Sequence, residues 1–419
     1  MASPDSDPKP LFSLDSYHVS EELGFILPDP LEELPPYYQP WMDIARRVPE
    51  LVDSHELRSH INEMPLLSCQ FLQKHRELRL AHLALSVLTM GYAWQEGENN
   101  TVQMLPHNLA VPYWEVSQHL GLPPILTHAD AVLANWKKKD PQGSFDMENL
   151  ELLFRLPGGD SVKGFFMVTL LVELAAVPAL RNIPVVINSV RCGDTEAAAA
   201  ALDAVCQALQ DMTDALKLMQ VYVEPSVFYG IMRIYLSGWK DNPCMPKGLV
   251  YEGVRAEPME FSGGSAAQSS LLHCFDELLG VKHKAKSGSF LNRMRDYMPP
   301  AHRQLIQDLS SQPPLKTFVQ QQACERLHRA YQRCVTKLLA LRSYHINVVS
   351  RFISIPAARA RQLRHQRGEL EAEMVSRAPA ALEERGTGGS GIMTFLKTVR
   401  DQTKDALLPE MSNEIKPHS

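Results

Sequence analysis

Residues 324–355 read CERLHRAYQRCVTKLLALRSYHINVVSRFISI. Neither proline nor glycine interrupts this stretch and apolar side chains recur at helical spacing, so it reads as one long helix stopped by Pro356. His345 lies inside its apolar stripe. The neighbours three, four and seven positions away are Leu338, Leu341, Val348, Val349 and Phe352, with Arg342 the one charge among them. An imidazole so placed has two fates. It is a core histidine bonded to backbone, or it is an axial ligand whose neutral ring nitrogen binds iron while the apolar wall accepts a porphyrin. In the second case Arg342, one turn back, meets a haem propionate.

Outward from this segment, helical periodicity dominates and strand alternation is scarce. Residues 66–94 read as a long amphipathic helix, with Leu78, Leu80, Leu83, Leu85 and Leu88 among its apolar positions. Two proline-punctuated stretches follow, around 111–120 and 125–136, and then an apolar helix from Gly164 that ends near Pro178. Residues 195–222 form a helix opened by an alanine run, and Pro225 suits the first turn of the next, which passes through Phe228, Arg233 and Leu236 to Gly238. The Gly/Ser stretch 262–265 precedes a helix through Leu271, Phe275 and Leu279. Residues 357–385, rich in Ala, Arg, Gln and Glu, read as a mobile excursion, after which Phe395 and Leu396 start a short terminal helix. The expectation is an all-α chain with a small N-terminal domain, residues 1–155, and a larger helical domain, residues 156–419.

Composition narrows the function. Hydrophobic residues at 45% and charged residues at 21% are ordinary for a globular protein, and a net charge of -6 argues against a sequence-independent grip on nucleic acid or anionic membrane. The seven cysteines include no CxxC and no CxxCH, which removes a zinc cage, a disulfide framework and covalent haem attachment. The apolar run FFMVTLLVELAAVPAL, residues 165–180, falls short of the roughly 20 residues of a membrane span and is broken by Glu173 and Pro178, so it reads as a buried core helix. With acids and prolines rather than a basic-then-apolar start, the expected location is cytoplasmic.

Arg233 sits in FYGIMRIYLSGW, residues 228–239, five positions from Phe228. A guanidinium among aromatics suits a substrate carboxylate beside an apolar slot; the alternative is an arginine that snorkels outward or pairs with an acid. The glycine-rich SGGSA (262–266) and GTGGS (386–390) match neither a Walker A nor a Rossmann fingerprint, but offer small side chains and free amides near a ligand. No GxSxG, HExxH or kinase set occurs, and His273 and His283 lack metal-ligand spacing.

Taken in order, LPPIL (122–126), VLANWKKKDP (132–141), RIYLSGWKDNP (233–243), GLVYEG (248–253), GGSAAQSS (263–270), DYMPPAHR (296–303), LRSYH (341–345) and RGTGGS (385–390) closely resemble the indoleamine 2,3-dioxygenases from about Tyr17 onward. His128 stands where the first mammalian paralogue carries a tyrosine, so the chain is similar to the second. The resemblance implies an all-α haem b enzyme that adds O2 across the indole C2–C3 bond of L-tryptophan to give N-formylkynurenine, with an electron donor for the haem and an immunoregulatory role. It makes His345 the proximal iron ligand and puts Arg342 and Asp276 in the polar network beside the porphyrin edge, with Ser265 and Ala266 above the haem. Phe165 and Phe228 then wall the indole and Arg233 holds the carboxylate. His128, Ala131, Val132, Thr169, Leu236 and Gly264 line the substrate pocket, and Thr387 belongs to a loop closing over it. Thr169 stands where the first paralogue has serine, a second departure at the distal face.

A rival reading keeps the fold and works through partners. VPYWEV (111–116) and LVYEGV (249–254) fit the pattern V/L-x-Y-x-x-V/L, so Tyr113 and Tyr251 are candidates for phosphorylation and for phosphotyrosine-reading proteins.

Overall fold

A computed structural model describes residues 10–366 and 391–409. The chain is all-α. Among the described residues strands are confined to two ladders, Met104–Leu105 parallel with Val250–Tyr251 and Lys137–Lys138 antiparallel with Leu150–Glu151.

The N-terminal portion packs around the helix His75–Trp94, and every side chain from Arg79 to Trp94 is buried. This corrects the reading of 66–94 as one amphipathic helix. The helix begins at His75, where Glu77 accepts the amides of Gln73 and Lys74 (both 3.0 Å), and beyond its first turn it is surrounded. Next comes His107–Leu120, with Pro112 inside it and Gly121 closing it in the left-handed region at φ 64°.

The remaining walls are long helices. Asp160–Ala175 and Val177–Cys192 meet at Ala176, with Pro178 in the first turn of the second, where its missing N–H costs nothing. The run Asp160–Cys192 is long and apolar enough to cross a membrane by length and composition, yet half of its most apolar window is buried in the protein. Thr195–Lys217 packs on the preceding helices and on Glu325–Val349. Arg326 pairs with Glu196, Arg333 with Asp203, and Lys337 Nζ with Gln210 Oε1 (2.7 Å); the rungs ascend together, so these two helices run parallel.

Pro356 does not stop the long helix. The chain widens into a π turn, Ser350–Ser354, closed by Ile355 N–H donating to Ser350 C=O, and continues as Ile355–Gln366. Proline near the start of that last segment is tolerated because the wider turn has already broken the i to i+4 ladder. Residues 357–366 are therefore helical, and the rest of the expected excursion, 367–385, lies outside the described residues. Pro225 stands in a first turn as expected, the stretch 195–222 divides into Thr195–Lys217 and Met219–Tyr222, and the terminal helix starts earlier than expected, at Ile392–Lys404.

Tyr113 and Tyr251 are both fully buried. Ser86 and Tyr113 hydroxyls share a bond of 2.6 Å, and Tyr251 donates to the carbonyl of Pro124 at 2.6 Å. The folded chain therefore presents neither hydroxyl at its surface.

Gly164 tests the packing that sets the cavity wall. A Cβ there would stand 2.1 Å from the carbonyl oxygen of Tyr222. Gly164→Ala should force the two segments apart and cost about 1–3 kcal/mol, the usual range for overpacking. A thermal melt measures it, and an unchanged midpoint would contradict the close approach.

Candidate active site

A large cavity runs between these helices, with about 1760 Å³ of non-protein space including its open mouth. One wall is the long helix, which contributes Leu341, Arg342, His345, Val348 and Val349, and Phe352 follows from its π turn. These are nearly all the same-face neighbours that periodicity assigns to His345. Leu338 is buried one layer away from the cavity. His345 is half-buried, and burial, reinforced by Arg342, pushes its imidazole down to about 4. At neutral pH the ring is uncharged, with a lone pair available to a metal.

The opposite wall is Asp160–Ala175. Phe165, Thr169 and Glu173 are four apart and share the face that lines the cavity. Thr169 Oγ1 donates back to Phe165 C=O at 2.7 Å, so its hydroxyl is committed to its own helix. Phe165 and Phe228 pack with centroids 5.1 Å apart, and Phe228 meets Phe352 edge-on at 5.9 Å, 84°.

Phe228 and Arg233 are five positions apart, which an ordinary α-helix does not align. The structure aligns them with a second π turn, Phe228–Met232, closed by Arg233 N–H donating to Phe228 C=O. Arg233 has no solvent exposure, lies 5.5 Å from the Tyr229 ring centroid, and is pushed by burial down to about 10, so it stays cationic at neutral pH. A charge held this deep beside an aromatic slot is suited to an anionic group.

A short helix, His128–Ala131, forms a shelf carrying His128, Ala131 and Val132. Asp130 caps it, accepting Thr127 N–H (2.9 Å) and Oγ1 (2.7 Å). His82 Nδ1 donates to the other Asp130 oxygen at 2.7 Å and Arg79 to Ala129 C=O at 2.7 Å, tying the shelf to the buried helix behind it. His128 Nε2 donates to Glu173 Oε1 at 2.8 Å, and Ser269 Oγ donates to the same oxygen at 2.6 Å. Leu236, Gly264, Ser265 and Ala266 complete that side. Gly238 lets the Arg233 segment meet the 261–264 loop, since a Cβ there would stand 2.3 Å from the Gly263 nitrogen.

Behind the His345 wall is a charged knot. Arg342 Nη2 donates to Asp276 Oδ2 (2.7 Å) and Nη1 donates to Thr403 Oγ1, while His283 Nε2 donates to Asp276 Oδ2 (2.7 Å). His283 Nδ1 reaches Gln402 Oε1 at 3.0 Å. The knot pins the terminal helix, whose Ile392, Phe395 and Leu396 close the cavity. Burial alone would raise the Asp276 carboxyl, but Arg342 and His283 outweigh it and hold it down to about 2.

The cavity thus gathers every site residue expected from sequence except two. Asp276 stands behind the wall, reached through Arg342, and Thr387 lies outside the described residues. Sequence reasoning missed Glu173, although its spacing from Phe165 and Thr169 was a readable signal. It also missed both π turns and the terminal helix as a cavity wall, which follow from tertiary packing.

The profile of the family described as "Indoleamine 2,3-dioxygenase" matches residues 13–406. The chain belongs to that family of haem-iron oxidoreductases. It is 52% identical over 398 residues to indoleamine 2,3-dioxygenase 2 of Homo sapiens, covering 94% of this chain and 96% of the relative. It is 47% identical over 398 residues to indoleamine 2,3-dioxygenase 1 of Rattus norvegicus, with the same coverage. A protein named myoglobin from Haliotis madaka is 39% identical over 395 residues, 93% of this chain and 98% of that one.

Asp276→Ala should leave Arg342 as a buried, uncompensated charge, at a cost of about 3–5 kcal/mol. Asp276 also sets an acid limit. Its folded value is below the unfolded one of ~3.9, so its contribution is complete above that pH and lost as pH falls toward about 2. Urea melts between pH 5 and about 2 should show wild type losing stability in this window and the Asp276→Ala chain losing less. Parallel curves would contradict the assignment.

Proposed function

We propose that this chain holds haem b in the cavity through His345 and oxidises L-tryptophan, inserting both atoms of O2 across the indole C2–C3 bond to form N-formylkynurenine. The observation that carries it is the placement of the neutral imidazole of His345 and the buried guanidinium of Arg233 in the same largely apolar cavity, on family membership that already supplies the reaction class. The donor set suits a macrocycle. Among the described residues no group of three or more His, Cys, Asp or Glu side chains could hold a bare ion, whereas one imidazole on an apolar wall fits a metal whose other ligands come with it. When bound, haem supplies the oxygen and redox chemistry.

The protein's own tasks are binding, orientation and exclusion of water. Arg233 takes the amino-acid carboxylate, with the aromatic cluster of Phe165, Phe228 and Phe352 against the indole. Small residues at 264–266 and Ala131 leave room for flat rings. No side chain is assigned as acid or base. Thr169 has its hydroxyl turned into its helix and His128 is held by Glu173, so neither is free to swing toward substrate. These two positions set efficiency, since a displacement of about 1 Å can cost roughly a hundredfold in rate. We place this activity in a reducing compartment, the cytoplasm, in keeping with seven cysteines that are all free.

Haem-loaded, reduced protein assayed aerobically with L-tryptophan should form N-formylkynurenine. Arg233→Ala should lose about 2–5 kcal/mol in kcat/KM, the range for removing one partner of a buried charge pair, while keeping its haem spectrum. Because a family relative bears the name myoglobin, product formation and not haem content is the deciding readout. Haem-replete wild type that makes no product would overturn the proposal.

A further inference from the structure

The seam between Thr195–Lys217 and Glu325–Val349 contains a pair of cysteines outside the cavity. Arg333 bonds Asp203 and Lys337 bonds Gln210, which fixes the register on either side. Between these rungs Cys334 Sγ lies 3.0 Å from the carbonyl oxygen of Leu202, and Cys206 stands one turn further along the same face. Leu202 and Cys206 are one turn apart, so that approach brings the Cys334 sulfur beside Cys206, and both thiols are free. Cys334 is fully enclosed. Cys206 is 8% exposed, at the rim of the seam beside the solvent-facing cations Arg333 and Lys337.

We propose that Cys206 and Cys334 form a peroxide-sensitive thiol pair that closes to a disulfide across this seam. The two cysteines have different roles. The hydrogen bond from Cys334, with Arg333 and Lys337 adding to it, pushes the Cys206 thiol down to about 6, so Cys206 is mostly thiolate at neutral pH. Cys334 is held well above the ordinary thiol value by that same bond and by burial. Other buried cysteines behave as inert core residues: burial pushes Cys69 up to about 12 and raises Cys274 further.

The chemistry closes without an unnamed reactant. The Cys206 thiolate attacks hydrogen peroxide, breaks the O–O bond and releases hydroxide, leaving Cys206 as a sulfenic acid. That step removes the negative charge that keeps Cys334 protonated. Cys334 gives up its proton to that hydroxide, forming water, and attacks the Cys206 sulfur; the sulfenic oxygen departs as hydroxide and takes back from solvent the proton that Cys206 released on ionising, giving the second water. Two thiols are oxidised by two electrons and one peroxide is reduced to two waters. The bond would tie two walls of the cavity together, because Met212 and Leu216 follow Cys206 on one helix while Leu341 and Arg342 follow Cys334 on the other. The inference does not depend on the ligand the cavity holds.

The test is to expose the folded chain to hydrogen peroxide and map its cysteines by mass spectrometry. The expected result is a Cys206–Cys334 crosslinked peptide, two hydrogens lighter than the separate peptides, formed before oxidation of the exposed Cys192. In Cys334→Ser, Cys206 should stop at the sulfenic acid and be captured by dimedone; in Cys206→Ser, Cys334 should stay reduced. Urea should abolish the lead of Cys206 over the other cysteines. Wild type in which Cys206 stays reduced while Cys192 oxidises would overturn the proposal. So would Cys206 advancing to sulfinic acid without a crosslink, and both readings come from the wild-type chain without reliance on a variant.

Discussion

One carboxylate joins the parts of this molecule that must not move relative to one another. Asp276 on Ser270–Leu279 accepts from Arg342 on the long helix and from His283, which in turn meets Gln402 on the terminal helix. Burying these charges is costly in itself, so the knot adds less to net stability than its bonds suggest. Its consequence is geometric. It fixes the rotation of the long helix one turn before His345, and so decides that the imidazole faces the cavity. It also holds down the helix whose apolar residues close the cavity.

A similar logic holds the other walls. The shelf at 128–132 is tied to the most buried helix through Asp130, His82 and Arg79, and to Asp160–Ala175 through His128 and Glu173. Arg233 is aimed by a π turn and by the close backbone approach at Gly238. Polar groups in and beneath the lining fix positions, while most of the lining is apolar around His345 and Arg233. Such a cavity binds and orients without contributing an acid or base, the division of labour expected when a cofactor carries the chemistry.

Much of this was legible in the chain. The apolar stripe around His345, the first-turn Pro225 and the existence of the long helices are local signals, and the structure reproduces them. Residues far apart in sequence, such as His128, Arg233 and Ser265, were named through family resemblance, since nothing local joins them. What stayed hidden depends on packing. An i, i+5 relation such as Phe228 to Arg233 becomes a shared face only after a π turn, and propensity does not announce one. Pro356 breaks an ideal helix but not one already widened at Ser350–Ser354. The helix at 75–94 carries polar residues that read as a wet face, yet Arg79, His82 and Ser86 are buried with partners supplied by distant segments. The burial of Tyr113 and Tyr251 was hidden for the same reason: a short motif carries no information about burial.

The central claim is that His345 is the one protein ligand to a haem iron. Its most direct test is the optical and resonance Raman spectrum of ferrous haem bound to wild type and to His345→Gly, with and without added imidazole. The account predicts a five-coordinate histidine-ligated signature in wild type, its loss in the glycine variant, and its return when imidazole fills the space. A glycine variant that keeps the wild-type spectrum without imidazole would contradict it.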